Sequence, residues 1–243
     1  MNHRPPSRRL LGRNTQRLGV LTVACLAALG IAGPAGAVPA SSHPGRDVPV
    51  VRDLARTHAD RTRTDQFQSS FDVRQLGAVV GAAVDNRALA VSAGCRPERP
   101  CRSVALSFQI VTMAGDQTRL SAGNTGRALN EHCAGCQTLA VAYQFIVAAP
   151  RPFTLSAQAQ AQLAAVHRQL DALKNSREPV SVVHQQVDAL ADQVKAVLDR
   201  EAAAAAKGPA LAPLGAVRPT VTTHHQSDQA EQPDSGGQPD RTG

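Results

Sequence analysis

The chain reads as an α+β protein: a small antiparallel sheet built from two repeated cysteine-bearing hairpins, followed by an antiparallel helical hairpin, with disordered ends. Three observations predict this. A cysteine-led segment recurs at an offset of 35 residues, Cys101-Arg-Ser-Val-Ala-Leu-Ser-Phe-Gln-Ile-Val against Cys136-Gln-Thr-Leu-Ala-Val-Ala-Tyr-Gln-Phe-Ile. Within each copy, bulky and small side chains alternate with the period of a strand. After residue 150 the apolar period changes to three and four, which is the stripe of a helix.

The N-terminus carries an export signal. Arg4, Arg8, Arg9, Arg13 and Arg17 precede an apolar run from Leu18 to Ala32, a Gly33-Pro34 break and the small residues Ala35 and Ala37. Charge, then an apolar run, then small residues is the order of a secretory signal, here with cleavage after Ala37 and Val38-Pro39-Ala40 as a second position. The run is shorter than the roughly 20 residues of a spanning helix, which argues against an uncleaved anchor and against stable membrane insertion. Ser7-Arg8-Arg9-Leu10-Leu11 partly matches a twin-arginine motif, with Gly12 standing where an apolar residue is usual. Cys25 falls inside the apolar run and leaves with the signal.

Cleavage alters the charge balance. Five of the 26 Lys and Arg and none of the 19 Asp and Glu lie in residues 1–37, so the net charge falls from +7 to +2 in the mature chain. One Tyr, five Phe and no Trp offer few stacking platforms. Nucleic acid is therefore not an expected partner.

Residues 38–66 are polar and rich in Arg, Asp, Thr and Pro, and read as a disordered arm in which Val50, Val51 and Leu54 form at most a helical turn. Residues 67–150 form the repeated β-rich domain. Val104, Leu106, Phe108 and Ile110, like Leu139, Val141, Tyr143 and Phe145, make a bulky face. The opposite face carries Ser103, Ala105, Ser107 and Gln109, then Thr138, Ala140, Ala142 and Gln144, and such small residues permit close approach of another layer. Gln109 and Gln144 are expected to make cross-strand hydrogen bonds rather than hold a ligand. Arg87-Ala88-Leu89 and Arg127-Ala128-Leu129 lead to Cys95 and Cys133 as a shorter strand in each unit, and Asp72 to Ala90 adds a further strand.

Residues 151–207 form the helical hairpin. Its stripes are Leu155, Leu163, Val166, Leu170 and Leu173, then Val183, Val187, Leu190, Val194 and Val197. Thr154 or Ser156 suits an N-cap, Pro179 a first turn, and Lys207-Gly208-Pro209 a stop. The pair is able to pack on the sheet or to project as a coiled coil, and it offers a surface for self-association or a protein partner. Residues 208–243, with one apolar patch from Leu211 to Val217, read as a disordered tail.

Phe71-Asp72-Val73-Arg74-Gln75, the Cys101 segment, and Asn130-Glu-His-Cys133-Ala-Gly-Cys136-Gln-Thr-Leu-Ala-Val-Ala-Tyr-Gln-Phe resemble a family of secreted actinobacterial proteins. These have two units of the form C-x-x-C-x-[ST]-x-A-x-[AS]-[FY]-Q and a C-terminal helical hairpin. The resemblance covers about residues 67–205. The second unit fits closely; the first departs, with five residues between Cys95 and Cys101. The resemblance implies an exported protein without an established activity. Some members are labelled peptide zinc metalloprotease proteins, but this chain has no H-E-x-x-H or comparable ligand spacing.

Cys95, Cys101, Cys133 and Cys136 are an even set in an exported chain, and structural disulfides are the expected state. The repeat favours pairing within each unit. Loop entropy favours pairing across units, roughly 3–4 kcal/mol per bridge against roughly 2 for the small loops. A four-thiolate zinc site is the first alternative, supported by Cys133-x-x-Cys136 and opposed by the longer first spacing. A redox dithiol is the second, and it lacks the helix N-terminus that usually lowers a thiol pKa. His132 reads as a turn residue, His167 and His184 as surface residues of the helices, His224-His225 as a weak incidental metal pair, and Asp188, Asp192 and Asp199 as a polar helix face. No nucleophile elbow, phosphate loop or paired catalytic carboxylates occur, so no catalytic residue, cofactor or resident metal is assigned. The sequence thus describes a secreted or cell-envelope, non-enzymatic structural or interaction module braced by disulfides. The alternative is a zinc-binding or thiol-redox factor using the same four cysteines.

Overall fold

The computed structural model describes residues 48–115, 118–206 and 218–231. Seven strands form two sheets: β1 (Val50–Ala59), β2 (Asp65–Ala78), β3 (Gly81–Ala93), β4 (Arg102–Ala114), β5 (Arg119–Glu131), β6 (Gln137–Ala149) and β7 (Thr220–Glu231). Sheet A has the order β1-β3-β5 and sheet B the order β2-β4-β6-β7. Pairing is parallel in β1/β3, β3/β5, β2/β4 and β4/β6, and antiparallel only in β6/β7. The chain therefore winds from sheet A to sheet B and back, one strand in each per coil, as a flattened β-solenoid.

This overturns the expected small antiparallel sheet of two hairpins. Alternation of bulky and small residues has the same period in parallel and antiparallel strands, so it does not report direction. The repeat offset does report it: Arg102 pairs with Gln137 and Ala114 with Ala149, so equivalent residues of the two copies lie side by side. The expected arm also needs correction, since residues 50–59 are β1 and residues 65–66 already belong to β2. Val50, Val51 and Leu54 are strand residues, not a helical turn, because Val51, Ala55, Thr57 and Ala59 alternate as a buried face. The expected tail holds β7, which pairs with β6 along its length. The predicted strand over Asp72–Ala90 is the end of β2 and the start of β3, with Gly77 in the left-handed region where the β2/β4 register shifts. The signal segment, the Lys207-Gly208-Pro209 stop and the Leu211–Val217 patch lie outside the described residues.

The two faces of sheet B have different neighbours. Val104, Leu106, Phe108 and Ile110 of β4 and Leu139, Val141, Tyr143 and Phe145 of β6 are buried under α1 (Ala157–Ala172) and α2 (Val180–Ala206). Every stripe residue named above is buried there except Leu173, which is partly buried. The helical apolar surface is thus spent on the sheet, and the pair does not project as a coiled coil. Ser156 caps α1 through its hydroxyl, which accepts from Ala159 N at 3.1 Å. Pro179 O accepts from Val183 N at 3.1 Å at the start of α2.

The other face of sheet B meets sheet A through Ala55, Ala88, Ala90, Ala105, Ala128, Ala140 and Ala142. Side chains this small bring the two sheets close enough for the longer polar residues to bridge them. β7 closes the end of this layer beside β5: a Cβ on Gly126 would stand within 3.0 Å of Gln226 backbone atoms, so only glycine leaves room for the closing strand.

In-register stacking turns repeats into rows. Phe71, Phe108, Tyr143 and His225 form one row across sheet B under the helices. Their ring centroids are 5.9, 5.3 and 4.2 Å apart in that order. Two polar rows stand in register, Asp53-Asn86-Asn124 and Asp72-Gln109-Gln144-His224, and of these Asn86, Gln109 and Gln144 are buried between the sheets. Asn86 Nδ2 donates to Asn124 Oδ1 at 2.9 Å and to Tyr143 O at 3.0 Å. Gln144 Nε2 donates to Gln109 Oε1 at 2.8 Å and to Gly123 O at 3.0 Å, the second bond crossing between sheets.

Candidate functional site

The four cysteines sit at the turns that carry the chain from sheet A to sheet B. The structure pairs Cys95 with Cys101 and Cys133 with Cys136, the local arrangement. All four are buried, and their sulfurs lie within 4.8 Å of one another because successive coils stack their turns. Cys101 N donates to Cys136 Sγ at 3.0 Å, so one bridge rests on the backbone of the other. His132, with φ 49, and Gly135, with φ 70, supply the left-handed backbone that closes the Cys133 turn. His132 and Glu131 are both exposed.

The first coil has no cysteine at its turn and uses a carboxylate instead. Asp60 Oδ1 accepts from Thr62 Oγ1 at 2.6 Å, Thr62 N at 2.7 Å and Arg63 N at 2.9 Å. The Thr62 hydroxyl first, then the two backbone amides, hold the Asp60 carboxyl down from its ordinary 3.8 to about 2. These bonds favour the charged form, so the stability they contribute is complete above the ordinary value and is lost as pH falls through about 2. In Asp60→Asn this dependence is expected to be absent. The difference in urea midpoint between the two proteins is expected to shrink as pH falls over that window, and a constant difference would refute the assignment.

A second cluster lies at the end of the aromatic row. His184 and Asp188 occupy one face of α2, with His184 Nε2 3.5 Å from Asp188 Oδ1. His225 of β7 stacks on Tyr143 at a centroid distance of 4.2 Å and a 4° interplanar angle. Tyr143 Oη donates to Asp188 Oδ1 at 2.8 Å. Burial, then Asp188, pushes the Tyr143 hydroxyl well above its ordinary range, so it remains a proton donor. Burial lowers the His225 pKa, Asp188 opposes that shift, and nearby His184 adds to it. The sequence placed His184 on a helix and His225 in a tail, and no spacing rule linked them. The link comes from β7 returning to pair with β6.

The outer face of sheet A is the third feature. No described element covers it. Val50, Leu54, Arg52, Arg56, Arg87, Arg119 and Arg127 are exposed on it. Its acids are Asp85, paired with Arg87 at 2.9 Å, and Glu131. Among the described residues, no helix is long and apolar enough to cross a membrane.

No family model, no curated protein and no solved structure matches the chain. The functional reading therefore rests on the residues themselves.

Proposed function

We propose that the chain is an exported, non-enzymatic binding module, a disulfide-braced solenoid that presents the outer face of sheet A to an extended anionic partner. The observation that carries this is that no described element covers the outer face of the parallel sheet A. Parallel sheets are ordinarily covered on both faces, and here the described helices cover only sheet B. This outer face bears five arginines against two acids among the described residues. Neighbouring strands stand about 4.8 Å apart, so Arg56 and Arg127, two strands apart in one row, recur about 10 Å from each other along a flat surface. That spacing suits carboxylates on a polymer, and arginine binds carboxylates through two parallel hydrogen bonds. Among the described residues no Phe or Tyr lies on this face, so it offers charge rather than stacking to a partner. Export is supported by the leader-like N-terminus, the two bridges and the resemblance to secreted actinobacterial proteins. The helical stripes, offered by the sequence as a partner surface, are occupied by sheet B, so the proposed surface is on the opposite side.

The test is binding of a carboxylated glycan, polygalacturonate, to the mature chain. The expected result is salt-sensitive binding that weakens at least about tenfold in Arg52→Glu/Arg87→Glu/Arg127→Glu, since each contact contributes a charge-assisted bond. Absence of binding, or binding unchanged in the triple variant, would overturn the reading.

A second reading, a zinc-binding or thiol-redox factor, is favoured by the proximity of the four sulfurs. It requires thiolates. Alkylation of the exported protein under denaturing conditions without reduction separates the two: no modified cysteine favours bracing, and four modified cysteines with about one zinc released per chain favour the metal.

A further inference from the structure

We propose that His184, Asp188 and His225 form a binding site for a first-row divalent cation, with zinc the ion that fits best, and that the ion pins the closing strand β7 to α2. Two imidazoles and one carboxylate are a donor set used by zinc and its neighbours, with water completing the coordination. The geometry is close to what such an ion needs. With bonds of about 2.0–2.1 Å, tetrahedral ligand atoms stand about 3.3 Å apart. His184 Nε2 and Asp188 Oδ1 are 3.5 Å apart, and one ligand atom from each of the three residues lies within 4.8 Å of the others.

Three further features fit an ion. His184 Nε2 is buried and makes no hydrogen bond, so a ligating nitrogen is already removed from water. Tyr143 holds Asp188 by donating to it, as an outer partner commonly orients a ligating carboxylate. The stacking of His225 on Tyr143 fixes the plane of the third ligand. The cluster is separate from the cysteine turns: it lies on the helix-covered face of sheet B, opposite residue 143 of β6, whereas the cysteines lie at the strand entrances. His184 and Asp188 are four apart on one helix, while His225 arrives after the chain has left α2. An ion at this point therefore ties α2 to the strand that follows it in the chain.

The experiment uses the untagged mature chain with its disulfides formed, so that no thiolate competes for metal. Zinc is titrated by calorimetry into this protein and into His184→Gln, Asp188→Asn and His225→Gln. One zinc per chain is expected, bound at least about tenfold more weakly in each variant, because removal of one of three ligands opens the site. Cobalt substitution is expected to give a visible spectrum without the thiolate-to-metal absorption band. Amide hydrogen exchange in β7 is expected to slow on zinc addition in the unmodified protein and not in Asp188→Asn, a helix-surface change that leaves β7 itself intact. Absence of stoichiometric binding, affinity unchanged in His184→Gln and Asp188→Asn, or a thiolate band would each overturn the site. Zinc binding without slower exchange in β7 would overturn the pinning.

Discussion

Replacing all four cysteines by serine is expected to destabilise the chain by about 4–6 kcal/mol. Each bridge closes a small loop, with sequence separations of 6 and 3, and the loop-entropy relation assigns about 2 kcal/mol to each. The substitution also places four hydroxyls in a buried, sulfur-lined cluster with Ala59, where desolvation of a hydroxyl adds to the loss. A domain of ordinary stability has about 5–15 kcal/mol in total, so the variant stands near the edge of folding. Urea unfolding of the oxidised protein, the reduced protein and the variant tests this. The oxidised protein is expected to have the highest midpoint, with the other two close together. A loss below about 1 kcal/mol would show that the bridges do not brace the coils. Reduction that raises stability in the presence of zinc would show that the sulfurs serve a metal instead.

Much of the fold was present in the sequence, but in a form that did not reveal chain direction. The bulky row Val104, Leu106, Phe108 and Ile110 and the helical stripes were legible because burial imposes period two and period three-to-four on the side chains. The parallel arrangement was legible only through the constant offset between the Cys101 and Cys136 segments, which is the length of one coil. Tight hairpins are most strongly marked by Asn-Gly or Asp-Gly between paired strands, and neither dipeptide separates these segments. β1 and β7 were missed for a shared reason. Each lies at an end of the solenoid and pairs on one edge, so half of its side chains face solvent and its composition resembles that of a loop. Arg52, Arg56 and His58 in β1, and Thr222, His224 and Gln226 in β7, are all exposed.

The candidate sites divide in the same way. The cysteines could be placed from sequence because their turns repeat. Cross-strand bonding of Gln109 and Gln144 could also be expected, since both occupy one position of the repeat, and their side chains do meet at 2.8 Å. Asp53, Asn86 and Asn124 lie on the strands of sheet A, where identity between coils is low, and only the parallel register brings them into one row. The His184, Asp188 and His225 cluster depends on the return of β7, so it could not be seen before that strand was placed.

That buried amide row carries the second large effect: Asn86→Leu is expected to cost about 2–5 kcal/mol. Asn86 is fully buried between the sheets. Its amide donates to Asn124 Oδ1 and Tyr143 O, and its Oδ1 lies 2.6 Å from Ser107 Oγ. Ser107 Oγ also lies 2.7 Å from Asp53 Oδ2, and its single hydrogen serves one of these acceptors at a time. Leucine removes these three bonds of Asn86, leaving Ser107 to donate to Asp53 and Asn124 Oδ1 without the amide that approached it, and a buried acceptor that loses its donor costs about 1–3 kcal/mol. Leucine branches at the same Cγ, but its two methyl groups are bulkier than the amide atoms they replace and enter a layer lined by alanines, where overpacking costs about 1–3 kcal/mol. The neighbouring Arg87 is exposed on the outer face, so Arg87→Ala is expected to change stability by only about 0.5 kcal/mol, although it lies one residue away. Equilibrium unfolding of both variants in urea separates the inner row from the outer face. Equal losses in the two would show that the sheets are not held by the amides between them.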